Sequence, residues 1–192
     1  MNEVNILSID PSLCNTALVV FQYTTDRPEW SVVSSHVIHT AVEAKKRGIY
    51  KADDETRRIE LVVRRLKTTY ELYSPKLLVA EITMGQPKSK RAASALAIAK
   101  TVIVTAGAIW GIPVVYVDQA DVKNSMCNKK TASKTEMKNR AAELYPEFLE
   151  EYKSTKAADG WAGTFEHVAD AVGVFEAVKH SAQVQLLRGL VS

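Results

Sequence analysis

Cysteine is almost missing from this 192-residue sequence: Cys14 and Cys127 stand alone, and neither sits in a metal-type pairing motif. A thiolate metal centre is therefore excluded, and a reducing, intracellular (cytoplasmic) setting is expected. No secretory signal is expected either, because the opening "MNEVNILSID" mixes acidic and polar residues into its first apolar run. Glycine is scarce, and no Gly-rich phosphate loop is recognisable, which removes the commonest sequence sign of a nucleotide cradle. Internal repeats, low-complexity tracts and domain boundaries are absent too, so residues 1–192 read as one domain, long enough for a sizeable core. A strong charge of one sign is also lacking. Lys and Arg exceed Asp and Glu by only 25 to 22, and that excess alone does not argue for nucleic acid over a solvated face. It is unevenly spread, however: "KSKR" at 88–91 and the run from Lys123 to Lys138 are locally basic.

What is present is a succession of short apolar runs and two kinds of helical pattern. "VNILSID" and "TALVVFQY" lie at hairpin distance across the turn-like "PSLCN", and "WSVVSSHVIHT" makes a third strand. From Glu55 to Tyr73, Ile59, Leu61, Val62, Leu66 and Leu72 mix with charges, as in an amphipathic helix lying on a sheet. "PKLLVAE" and "IPVVYVD" read as buried strands on either side of an apolar helix over 92–110. That helix is long enough to raise a membrane span. Lys100 near its middle, with Ala, Ser and Thr around it, favours a central helix inside a protein and no membrane. A polar stretch from residue 119 is expected as a loop, followed by a helix from Lys134 to Leu144 ended at Pro146, and then by a buried helix over 166–178. The order implies a mixed sheet flanked by helices.

Three acids in this pattern occupy costly places. Asp10 and Glu81 close apolar strands, and Asp170 is set into the apolar "EHVADAVGVFEAV" one turn after His167, on the same helical face. An unpaired carboxylate against apolar surface is expensive, and converging acids raise one another's pKa. A divalent cation removes both penalties. Oxygen donors with one imidazole suit Mg²⁺ or Mn²⁺ better than structural zinc, and hard cations of this kind make a hydroxide nucleophile for phosphodiester hydrolysis.

These residues carry a family likeness. The chain resembles the RuvC-like Holliday junction resolvases: "ILSIDPSLCNTALVV" is similar to their first hairpin and "PKLLVAEITM" to their second acidic strand. "SALAIAKTVIVTAGAIWGIPVVYVDQADVKNSM" is similar to their central helix, next strand and basic loop, and "HVADAVGVFEA" to their closing helix. The likeness runs through most of the chain in the family's order. It implies an RNase H-like α/β fold with a mixed five-stranded sheet, two Mg²⁺ (or Mn²⁺) ions per active site, and Asp10, Glu81, His167 and Asp170 as the metal-binding catalytic tetrad. By the same likeness Asp10 bridges the ions, Glu81 and Asp170 each hold one, and His167 completes the site and helps to orient the attacking water. Lys123 and Lys134 match DNA-contacting positions, the cluster of Lys88, Lys90 and Arg91 adds phosphate contacts, and Met84 falls where an aromatic wedge enters the branch point. Ser12 after "DP" and Ile82 after the acid depart from the family's usual Gly and Gln.

The implied activity is paired cleavage of four-way DNA junctions by a homodimer, in DNA recombination and repair, with a branch-migration motor as an open question. A broader debranching or flap nuclease keeps the same fold and residues. A non-catalytic nucleic-acid-binding relative is disfavoured by the intact acids. An actin-like ATPase, whose fold begins with a similar hairpin, would need two such domains. Glu166 is either a first-turn acid favoured by the helix dipole or a substitute ligand, and Asp118, Asp121 and Asp159 read as loop acids.

Overall fold

A computed structural model describes residues 3–40, 48, 50–82, 90–146, 152–153 and 162–191. Three strands open the chain as an antiparallel meander: β1 (Glu3–Asp10), β2 (Asn15–Thr24) and β3 (Trp30–His39). Helix α1 (Lys51–Tyr73) then leads to β4 (Leu77–Ile82), which pairs parallel to β1. Helix α2 (Lys90–Trp110) leads to β5 (Val114–Asp118), parallel to β4. The result is one mixed sheet in the order β3-β2-β1-β4-β5. Among the described residues four helices follow: α3 (Gln119–Cys127), α4 (Lys134–Leu144), α5 (Phe165–Val178) and α6 (Ala182–Gly189).

The alternation of side chains along each strand decides which face carries what. On β1, Val4 and Ile6 join the core under α5, while Leu7 and Ile9 join the core under α1 and α2. On β4, Leu77 and Val79 go with the first set, Leu78 and Ala80 with the second. The α5 core is the larger. Phe21 stacks on Phe175 at 3.8 Å between ring centroids, and Tyr145 and Trp30 meet this pair edge-on. Ser8, in the same frame as Val4 and Ile6, donates a buried 2.6 Å hydrogen bond to the Ala171 carbonyl, fixing α5 against β1. Gly173 brings α5 against α3 and α4: a Cβ there would lie 2.8 Å from Val122 Cγ1 and 2.9 Å from Met137 Cε.

On the other face, the buried side of α1 is Asp54, Arg58, Val62, Leu66 and Thr69. Leu61 and Leu72, expected in the core, are exposed, because a stripe built on Val62 and Leu66 leaves them on other sides of the helix. Arg58 is buried, and its guanidinium donates to Thr40 Oγ1, the Leu13 carbonyl and Cys14 Sγ at 3.0–3.1 Å. It thus clasps the turn that follows Asp10. Helix α2 buries Ala99, Ile103 and Gly107 at i, i+4 and i+8, and Gly107 lets it close on Val114. The span Ala93–Trp110 is long and apolar enough to cross a membrane by length and composition. Here it lies along the sheet rather than at the centre of the protein, with Val104 and Ile109 exposed.

Two further helices differ from the sequence expectation. Residues 119–127, expected as a loop, form α3, because Asp118 Oδ1 accepts from Ala120 N at 2.7 Å as an N-cap and Val122 and Met126 bury one turn apart. Two buried apolar residues in nine give too weak a period to be read. The C-terminal α6, which the sequence reading passed over, is capped by Ser181 and anchored by Val184 alone among its buried residues.

Candidate active site

Asp10 is the last residue of β1 and shares the α5 face with Val4, Ile6 and Ser8. Glu81 shares that face with Leu77 and Val79 on β4. Because the strands are parallel and Ile9 pairs with Ala80, one further step of the same register sets Glu81 beside Asp10. The helix pinned over β1 by Ser8 then brings His167 and Asp170 down on the pair. His167 Nδ1 donates to Asp10 Oδ2 at 2.9 Å across 157 residues of chain. The geometry therefore brings the four tetrad residues to one end of the sheet.

Their electrostatics reflect crowding. The Glu81 carboxyl is pushed up to about 7, first by burial and then by the charges of Asp10 and Asp170, with Lys123 opposing. Asp170 is likewise pushed up to about 7, by burial and then by Asp10, with His167 and Lys134 opposing. His167 is raised above its ordinary value, chiefly by its hydrogen bond to Asp10. A group of three carboxylates whose charges oppose one another, with one imidazole beside them, has the donor chemistry of a hard-cation site. Among the described residues, no three His, Cys, Asp or Glu side chains are gathered tightly enough to close around one ion.

Two of the sequence-predicted lysines arrive at this end. Lys123, on α3, is half-buried and its charge acts on Glu81. Lys134, the first residue of α4, is exposed, and its Nζ donates to Glu166 Oε1 at 2.9 Å. Its charge acts on Asp170. Lys90 is exposed at the start of α2. Met84 and Lys88 lie outside the described residues, as do the Arg91 side chain and Asp159. The basic run itself divides. Lys129 is paired with Glu136 at 3.0 Å on the surface, whereas Lys138 is buried.

Two acids, read from the sequence as a loop acid and as a first-turn acid or substitute ligand, take other places. Asp118 is the N-cap that starts α3, and its charge adds to the burden on Glu81. A strand-end Asp directly before "QAD" was the available signal. The other is Glu166, whose Oε1 meets Lys134 and also lies 3.8 Å from His167 Nε2. No sequence signal links residues 134 and 166.

No known family model matches the sequence, and no curated protein is similar to it in sequence. Solved structures are similar in three dimensions. Thermus thermophilus RuvC in complex with a Holliday junction substrate superposes with a TM-score of 0.70 at 16% identity, over 95% of this chain and 96% of that one. The yeast mitochondrial Holliday junction resolvase gives 0.63 at 12% identity, over 97% and 82%. The fowlpox virus Holliday junction resolvase gives 0.55 at 14% identity, over 93% and 99%. The fold is thus RNase H-like, a mixed five-stranded sheet flanked by helices, as the sequence implied.

Proposed function

We propose that the protein is a metal-dependent endonuclease that hydrolyses branched DNA, four-way junctions foremost, by paired cuts from a homodimer. The observation that carries this reading is the convergence of Asp10, Glu81, His167 and Asp170 at one end of the sheet, with Lys123 and Lys134 beside them. The likeness to solved junction resolvases over almost the whole chain supports the choice of substrate. Asp10, Glu81 and Asp170 would hold two Mg²⁺ or Mn²⁺ ions, which supply a water-derived nucleophile and stabilise charge on the phosphate. His167, already fixed by a carboxylate through Nδ1, orients a donor or acceptor toward the attacked phosphate. Lys123 and Lys134 take phosphates on either side of the acids, and burial of Glu81 and Asp170 keeps bulk water from competing for their oxygens.

The test is cleavage of end-labelled four-way, three-way, flap and linear DNAs with Mg²⁺ or Mn²⁺. Symmetric paired nicks near the branch of the four-way junction are expected. Equal cutting of flaps and three-way junctions would make the protein a general debranching nuclease, and binding with no cleavage of any substrate would overturn the catalytic reading.

A further inference from the structure

Glu166 is poorly explained as a surface acid. It stands in the first turn of α5, where the helix dipole favours a carboxylate, but its side chain is only 28% exposed and one oxygen serves two neighbours. Oε1 accepts from Lys134 Nζ at 2.9 Å and lies 3.8 Å from His167 Nε2, whose other ring nitrogen is bonded to Asp10. Lys134, Glu166, His167 and Asp10 therefore form one chain of contacts from the exposed rim to the acid cluster.

We infer that Glu166 is a positioning residue that couples phosphate binding at Lys134 to the orientation of His167. The inference rests on the branched-DNA reading. In the free protein the Glu166 carboxylate occupies Lys134 as an internal stand-in for phosphate. The Lys134 end of this pair is 73% exposed, and an ion pair so open to water is weakly held. A DNA phosphate displaces it with little loss. The released carboxylate has His167 Nε2 as a neighbour already in place, and one side-chain rotation lets it accept that N–H. With Nδ1–H on Asp10 and Nε2–H on Glu166, both ring nitrogens donate, and the ring is held in one plane as an imidazolium that is oriented but does not ligate. Phosphate arrival would then be read at the acids without any movement of the backbone. The arrangement also keeps Lys134 from attracting DNA indiscriminately, because its charge is balanced until a phosphate competes for it.

The experiment uses the full chain with a four-way DNA junction in EDTA, so that binding is measured without cleavage. Glu166→Gln keeps the size and first-turn position of the residue. It should tighten binding roughly two- to fivefold at low salt, the range expected for losing one exposed competing ion pair. The gain should shrink as salt rises and vanish in the Lys134→Ala background. In parallel, the His167 Nε2–H signal, followed by nuclear magnetic resonance with labelled histidine, should move when junction is added to wild type and stay in place in Glu166→Gln. Additive effects of the two substitutions, or a His167 signal that moves equally in both proteins, would overturn the coupling while leaving the nuclease reading intact. Failure of wild type to bind any branched DNA would overturn both.

Discussion

The hydrogen bond between His167 and Asp10 joins residues that the chain separates by almost its whole length, and the predictions at residue scale start from it. Asp10→Asn or Glu81→Gln removes a charge that the proposed metal site needs while leaving the lysines, so cleavage should be abolished while junction binding in EDTA persists or tightens. Near wild-type turnover by either variant in a gel cleavage assay would remove that residue from the site. A pH dependence follows from Glu81 and Asp170, both raised to about 7. Unfolded, these carboxyls lose their protons near pH 4; folded, near 7. Between the two values the folded state binds more protons, so its stability falls as pH rises through this window. A divalent cation that pairs with the charged carboxylates should reverse the loss. The rise in melting temperature on adding Mg²⁺ should therefore be larger at pH 8 than at pH 5 and should disappear in Glu81→Gln. The acids were legible in the sequence because each breaks an apolar run and so advertises its cost. The Lys134–Glu166 pair was not, because it depends on where α4 and α5 meet.

At the scale of elements, the strands and the long helices were readable because their patterns are strong, and the short helices were not. β1, β2, β4 and β5 are apolar runs bounded by turns or charge, and α5 is apolar on nearly every side because α3, α4 and the sheet cover it. α3 and α6 bury two and one of their residues, and what makes them helices is their Asp118 and Ser181 caps. The fit of α5 into its neighbours gives a test. Gly173→Ala should gain up to about 1 kcal/mol in helix propensity. It also places a methyl within 2.8–3.1 Å of Val122, Met137 and Met126, and overpacking of this kind costs about 1–3 kcal/mol. The stiff Val122 Cγ1 is the nearest atom, so the clash wins. Denaturant unfolding should show a net loss of about 1–2 kcal/mol, and an unchanged midpoint would mean that α3 and α4 yield more readily than this packing implies. The capping box of α4 offers the converse case. Ser133 Oγ accepts from Glu136 N while Glu136 accepts from Ser133 N, and Ser133→Ala should cost about 1 kcal/mol.

For the molecule as a whole, the outer side of α2 asks for a partner. One stripe of this helix, Ala99, Ile103 and Gly107, packs on its own sheet. Residues 94, 97, 101, 104, 105 and 108 face away, exposed, and are Ser, Ala, Thr or Val. Small, uncharged side chains over three to four turns are an unusual choice for a surface in contact with water, and they allow another helix to approach closely. The larger apolar residues of its middle do not serve this outward stripe: Ile98 and Val102 are half-buried in the monomer, and Ala99 and Gly107 are fully committed to it. Periodicity alone could not choose between two apolar faces, since which of them meets the sheet depends on the register of α2 over β5. A two-fold pairing through the outward stripe would give two identical sites related by an axis, the symmetry needed to cut a four-way junction on opposing strands. Wild type should therefore scatter light as a dimer at tens of micromolar. Val104→Glu places a charge in the centre of the outward stripe, on a side chain already 49% exposed in the monomer, and should yield folded monomers with unchanged circular dichroism that nick one strand without pairing the cuts. A wild-type monomer that still delivers paired cuts, or a Val104→Glu protein that remains dimeric, would place the interface elsewhere.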